Sequence, residues 1–270
     1  MNRRFDLASD LHVDFWVKFD SNPIKMKQKT DGFIDSIIHP DHSMILVIAG
    51  DMGHYNRQNE LMLNSFKRYY EYILIVRGNH DLYLVSGQQE KKYGRNSSKR
   101  WNEMKEIAGQ IEGVYILEGD VITLKGITFG GTGMWYDFSY GMLGHDKTEE
   151  ELVRLWKKEM NDAGLIRGLP DFIEESAKLS NIINDSEVII THVGGDWSML
   201  SPNSKYVQGL TPSFYFFDGS KWMDQLQGKV WCFGHIHDHF DYIKNGCRFV
   251  NNAIGYPRDN PDVKIKTISI

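Results

Sequence analysis

Five short segments of this 270-residue chain carry side chains that could bind metal ions or move protons. They are Asp10-Leu11-His12, Gly50-Asp51, Gly78-Asn79-His80-Asp81, Thr191-His192 and Gly234-His235-Ile236-His237. Their donors are imidazole nitrogens and carboxylate or amide oxygens, with no thiolate among them. That mixture suits Mn, Fe, Zn, Ni or Co, and not a structural zinc site built on cysteine. Two ions about 3.5–4 Å apart need a shared ligand, and a carboxylate can bridge them. Gly50, Gly78 and Gly234 let the backbone turn sharply and let a phosphate come close.

Taken singly, each segment reads blandly. Asp-x-His is commonly a surface turn, Gly-Asp a turn dipeptide, and Thr-His a satisfied edge histidine. What gives them weight is position, because each follows a short apolar run. The runs 5–8, 44–49, 72–76, 114–117, 127–129, 188–190 and 230–233 are brief and mostly rich in Val and Ile, as buried strands are. Donors at the C-terminal ends of adjacent strands would converge on one edge of a sheet, where α/β proteins place their sites.

Helical patterns lie between several runs. In 59–70, Leu61, Met62, Ser65, Phe66 and Tyr69 fall on one face. Thr148 with Glu151 forms a capping box that opens a helix to Met160, with Leu152, Leu155 and Trp156 on one stripe. Pro170 opens a third pattern through Ile173, Ala177 and Ser180. The alternation predicts an α/β fold with a mixed sheet, one domain over 1–270 carrying a helical insertion at about 141–184.

Composition bounds the function. At 41% hydrophobic and 25% charged the chain is ordinary for a soluble globular protein. A net charge of -5 argues against a general nucleic-acid coating protein. No apolar run approaches the ~20 residues that span a bilayer, so no membrane partner is expected. The start, Met1-Asn2-Arg3-Arg4-Phe5-Asp6, has no apolar stretch of the signal-peptide kind. The only cysteines, Cys232 and Cys247, sit inside strand-like runs and read as buried thiols. A cytoplasmic protein is the expectation.

The ordered set Asp10-x-His12, Gly50-Asp51, Gly78-Asn79-His80-Asp81, His192 and Gly234-His235-x-His237 resembles the signature of calcineurin-like metallophosphoesterases. Gly130-Gly131-Thr132 to Trp135, and Asn252 to Gly255-Tyr256-Pro257, also resemble small bacterial and phage members. The resemblance implies a β-sandwich flanked by helices, with two divalent or trivalent metal ions at one end. It implies that Asp10, His12 and His237 hold one metal, that Asp51 bridges, and that Asn79, His192 and His235 complete the second. His80 would contact the phosphate and protonate the leaving oxygen, and Asp81 would orient His80 through its ring N–H. The expected activity is hydrolysis of a phosphomonoester or phosphodiester, nucleotides included, by metal-activated water.

Two alternatives stand beside it. A nuclease would need a long basic groove. A non-catalytic scaffold that keeps the fold, as a retromer subunit does, would be expected to lack a ligand or the catalytic histidine; all are present here. Around the site, His54 and Arg77 are candidates to touch a phosphate. The basic segment Lys91 to Arg100, with Trp101, is a candidate cleft rim for nucleotides or single strands, set against a plain solvated loop. Trp135, Tyr136 and Trp197 are candidates to stack a base.

Overall fold

The computed structural model describes residues 3–200, 209–259 and 261–270. Two sheets form the centre. The first has the order β11 (Lys266–Ser269), β1 (Arg4–Ala8), β2 (Ile45–Ile48), β3 (Tyr72–Ile75) and β4 (Val114–Ile116). The second runs β5 (Asp120–Leu124), β6 (Ile127–Gly131), β7 (Val188–Ile190), β8 (Val230–Phe233), β10 (Cys247–Asn252) and β9 (His239–Lys244). Strands β1 to β4 pair in parallel, as do β6, β7, β8 and β10, while β11, β5 and β9 pair antiparallel at edges.

The strand sequences explain the layering. In β2 the side chains of Ile45 and Val47, continued by Ala49, join Phe5, Leu74, Phe129, Ile190 and Cys232 in the core between the sheets. Their neighbours Leu46 and Ile48 belong to the second core under the helices. Both faces are covered, so period-2 alternation places apolar residues at every position. This is the mixed α/β sandwich flanked by helices that the motifs implied.

Helices α1 (Val13–Trp16), α2 (Pro23–Ile37), α3 (Asn56–Phe66), α4 (Gly87–Lys92) and α5 (Ser97–Gly109) accompany the first sheet. Helices α6 (Ser139–His145), α7 (Glu149–Glu159), α8 (Asp162–Leu165) and α9 (Phe172–Ile182) lie between β6 and β7. The Thr148–Glu151 capping box is formed in both directions, and Leu152 and Trp156 are the buried side of α7. The basic segment closes α4, turns through 93–96 and opens α5, where the Asn96 side chain accepts the Ser98 N–H. Cys232 and Cys247 are buried and unbridged. Among the described residues, no helix is long and apolar enough to cross a membrane.

Candidate active site

The five motifs meet where the two sheets touch. Backbone bonds knit the strand ends together: Asp10 N–H to Gly50, His12 N–H to Asp51, and Gly234 N–H to His192. His235 N–H donates to both oxygens of Asp10, at 3.2 and 3.0 Å, joining sheet one to sheet two. Asp10, His12, Asp51 and His235 all have positive φ, between 41° and 70°. Four non-glycine residues in the left-handed region within one cluster is backbone strain held at a site, commonly about 1–3 kcal/mol per residue.

Two glycines show how tightly the loops pack. Gly50 has φ 87°, and a Cβ there would run into the His192 ring. A Cβ on Gly78 would collide with the carboxylate and amide of Asp51.

The side chains form three overlapping groups. Asp10, His12 and His237 converge in one, with His12 Nε2 and His237 Nε2 3.0 Å apart and Asp10 Oδ1 3.4 Å from His237 Nε2. Asp51, His192 and His235 converge in a second, and the third, His12, Asp51 and His80, shares one residue with each. Asp51 Oδ2 lies 3.8 Å from His12 Nε2 and 3.5 Å from His192 Nε2, between the first and second groups. Asn79 Oδ1 is 3.0 Å from His192 Nε2.

Outer partners fix which atoms face inward. His192 Nδ1–H donates to the Ala49 carbonyl at 2.8 Å, so its Nε2 lone pair faces the site. His235 Nε2–H donates to the Phe214 carbonyl at 2.8 Å, which turns its Nδ1 lone pair inward. His237 Nδ1 lies 3.6 Å from the Asp259 carboxylate, presenting Nε2. Asn79 Nδ2 donates to Asp162 at 2.8 Å and to Tyr83 at 3.2 Å, so its carbonyl oxygen points at His192. Acceptors therefore face acceptors at hydrogen-bond distance, which fits cations between them. Carboxylate, amide and imidazole donors suit the borderline metals named above.

The protonation states agree. Burial pushes His12, His80, His192 and His235 below the ordinary histidine value, His192 to about 3, with neighbouring imidazoles adding to the shift. Neutral imidazole is the metal-binding form. Burial, then the charges of Asp10 and Asp81, pushes the Asp51 carboxyl well above the usual carboxylate range. Burial would raise Asp10 too, but its bond to His237 and the surrounding histidines outweigh that and hold it low.

An open cleft of about 430 Å³ lies above the group, walled by Tyr83, Tyr215 and Tyr256 and by Glu159, Met160 and Asn161 at the end of α7. Its floor includes Asp51, Asn79, His80, His235 and His237, and Arg258 stands at its side. Tyr256 stacks on His12 with ring centroids 4.7 Å apart.

Several expectations are corrected. Asp81 does not hold the His80 ring: its carboxylate accepts the backbone N–H groups of Asp51, Met52 and Gly78, at 3.0, 3.1 and 2.8 Å. A residue one step along a 3₁₀ turn points elsewhere. His80 Nδ1 instead meets His54 Nε2 at 2.8 Å, so His54 touches a histidine and lies outside the cleft lining. Arg77 turns to Glu175 at 3.2 Å and is likewise absent from the cleft. Arg100 is buried, donating to the carbonyls of His80, Tyr83 and Gly53, and none of Lys91 to Arg100 lines the cleft. Trp135 and Tyr136 are buried core residues, and Trp197 packs partly buried against that core.

Asp14, Asp162 and Arg258 carry parts of the site that the motifs did not single out. Asp14 continues the Asp10-x-His12 alternation by two residues, which was its one sequence signal.

The profile of the family described as calcineurin-like phosphoesterase matches residues 3–239. The chain belongs to that family, and it is a metal-dependent phosphoester hydrolase. It is similar to Uncharacterized protein L509 of Acanthamoeba polyphaga mimivirus, 22% identical over 265 residues covering 93% of this chain and 91% of that one. Its fold is similar to that of phosphopantetheinyl hydrolase from Mycobacterium tuberculosis, with a TM-score of 0.69, 17% identity, and 96% and 91% of the two chains covered. A putative 5'-nucleotidase from Staphylococcus aureus aligns with a TM-score of 0.44 and 12% identity, over 93% of this chain and 48% of that one.

Proposed function

We propose that this chain hydrolyses small phosphate esters, nucleotides among them, at a binuclear metal site. In this reading Asp10, His12 and His237 hold one ion, Asn79, His192 and His235 hold the other, and Asp51 is shared. The observation that carries it is the convergence of acceptor atoms whose outer partners already fix their orientation. Mn, Fe, Zn or Ni ions held there would polarise the phosphate and make a water nucleophilic near neutral pH.

The protein's own residues then do the rest. His80, neutral at rest, would take up a proton from solvent and pass it to the ester oxygen as its P–O bond breaks, a general-acid role typically worth ~10²–10⁴-fold. Asp81 pins the loops of Asp51 and Gly78, which sets the site's shape and not the His80 ring. The cleft volume of about 430 Å³ suits a small ligand. Arg258 is the one lysine or arginine among the described residues lining it, which favours a small ester over a nucleic-acid polymer. Two buried, unbridged thiols support a reducing, cytoplasmic setting.

The test is to reload metal-free protein with each ion, count equivalents by elemental analysis, and assay a substrate panel. The panel holds p-nitrophenyl phosphate, bis-p-nitrophenyl phosphate, nucleotides, an oligonucleotide and, because of the mycobacterial neighbour, a phosphopantetheinyl ester. Two equivalents per chain are expected, and Asp51→Asn should lose metal and turnover together. A wild type that never holds more than one ion ends the binuclear reading. Turnover confined to the oligonucleotide would favour the nuclease.

A further inference from the structure

A tight turn after β10 contributes Tyr256, Arg258 and Asp259 to the cleft wall. The turn runs Tyr256-Pro257-Arg258-Asp259 and is closed by the Asp259 N–H, which donates to the Tyr256 carbonyl at 2.8 Å. Proline at the second position presets φ, so Arg258 is held at the corner that follows. The foot of the turn is fixed as well. Gly255 N–H donates to the Asp10 carbonyl at 2.9 Å, and Trp16 Nε1–H donates to the Gly255 carbonyl at 2.9 Å. Tyr256 lies on the His12 ring, and Asp259 faces His237 Nδ1 at 3.6 Å. The turn is therefore placed against both histidines of the first candidate metal group.

Arg258 itself holds little in place. Its side chain is 85% exposed, and its Nε approaches Asp259 Oδ1 no closer than 3.8 Å. Its guanidinium carbon lies 5.8 Å from the Tyr256 ring centroid, within cation–π range. The cation thus stands one ring away from His12. The scissile phosphate belongs on the floor, over Asp51, Asn79 and His80, where bound ions would neutralise it. An arginine on the side wall lies beyond that place, where the alcohol part of an ester would extend. The other charged groups of the walls, Glu159 and Asp259, would turn an anionic tail away. Arg258 therefore decides whether one is accepted.

We propose that Arg258 selects phosphate esters whose alcohol part carries a second oxyanion, and that it pairs with that group. The proposal rests on the hydrolase reading of this site and adds the kind of ester it prefers. A guanidinium presents parallel N–H donors that match two oxygens of one carboxylate or phosphate. The braced turn supplies it on a fixed backbone, so less ordering is needed on binding. Exposure limits the effect, since a wetted ion pair contributes far less than a buried one.

The experiment uses zinc-loaded wild type, Arg258→Gln, Arg258→Lys and Arg258→Glu. Benzylphosphonate and 4-carboxybenzylphosphonate cannot be hydrolysed and differ by one carboxylate. Calorimetry on wild type should show the carboxylated probe binding about 3–10-fold tighter, with the gap closing as salt rises to about 0.5 M. Arg258→Gln should abolish the gap and Arg258→Glu should reverse it. Arg258→Lys should keep part of it, having the charge without the fork. Metal content should hold, because Arg258 touches none of the candidate ligands. The ratio of kcat/KM for 4-carboxyphenyl phosphate to that for phenyl phosphate should follow the same order, through KM.

A wild type that binds both probes equally, or a gap that survives in Arg258→Gln, overturns the proposal. So does equal weakening of both probes in Arg258→Gln, which would put the arginine on the scissile phosphate or in the wall alone. A wild type that hydrolyses neither aryl ester would instead remove the hydrolase reading, and the two phosphonates would still judge the arginine.

Discussion

Asp162 accepts a 2.8 Å hydrogen bond from Asn79 Nδ2 across 83 residues of sequence. The carboxylate is fully buried and also takes the hydroxyls of Tyr83 at 2.5 Å and Tyr136 at 2.8 Å. Trp156 of α7 bonds Tyr136 in turn. The helices between β6 and β7 thus reach beneath the cleft and set which end of the Asn79 amide faces the candidate metal position.

Outer hydrogen bonds of this kind commonly shift metal affinity by about 10–100-fold. Asp162→Asn keeps the shape but can turn an N–H toward Asn79, so affinity for the second ion should fall within that range. Calorimetric metal titration reads this directly. The first ion, held by Asp10, His12 and His237 in the proposed scheme, should bind nearly as before. Equal weakening of both ions would mean that Asp162 only holds the fold.

The metal-free protein should be labile to mild acid. His12, His80, His192 and His235 are held neutral by burial, below the ordinary value of 6.5. Below that value the unfolded chain binds protons that the folded site refuses, so folding stability falls as pH falls. The stability is fully present above pH 6.5 and declines toward pH 4, by up to ~1.4 kcal/mol per pH unit for each histidine. Asp51 and Asp81, raised by burial, take up protons when folded and offset part of the loss. Four histidines outnumber two carboxyls, so the net slope keeps its sign. Urea titrations across pH 4–8 measure it, and metal-loaded protein should show a larger drop, because binding is lost as well.

Gly78→Ala should cost both stability and metal. The added methyl would occupy the place of the Asp51 carboxylate and amide; the amide cannot swing away without breaking its bond to Asp81, nor the carboxylate without losing the His80 N–H. Overpacking of this kind typically costs about 1–3 kcal/mol. The paired observation is a lower urea midpoint with fewer metal equivalents. A variant that loses neither would mean that the Asp51 loop is softer than its packing implies.

The strand-end histidines and carboxylates were legible because each chemical residue follows a short apolar run, and short apolar runs are what buried parallel strands require. The α7 start was legible because a capping box is a local contract between Thr148 and Glu151. Helix α2 left a fainter trace: its buried Met26, Thr30, Phe33, Ile34 and Ile37 keep helical spacing, but lysines and Gly32 dilute the stripe. What sequence could not supply were partners distant along the chain. Adjacency points to Asp81 as the partner of His80, yet the 3₁₀ turn separates them and brings in His54 and, behind it, Asp14. Arg77 looked toward the site by proximity and is drawn instead to Glu175 on α9.

The basic segment gives the last expectation, because sequence and structure assign it different work. Lys91, Lys92, Arg95, Lys99 and Arg100 sit on or between α4 and α5, and Lys92 pairs with Glu103 at 2.6 Å. None lines the cleft. Replacing Lys91, Lys92, Arg95 and Lys99 together with glutamine should therefore change KM for nucleotides less than about twofold, since exposed pairs contribute little. Arg100 is different. Its buried guanidinium donates to the carbonyls of His80, Tyr83 and Gly53, tying the 80–83 turn to the loop after β2 beside the site. Arg100→Ala takes a donor from each carbonyl, but His80 keeps the Tyr83 N–H and Gly53 keeps Asn59 Nδ2–H, so the loss falls mainly on the Tyr83 carbonyl, at about 1–3 kcal/mol for a buried group left unpaired. Arg100→Lys restores charge but not the planar fork, so it should rescue only part of the loss. Chemical denaturation ranks the three proteins, and the fourfold glutamine variant should match wild type. A large rise in KM from the four surface substitutions would return the segment to the rim of the cleft.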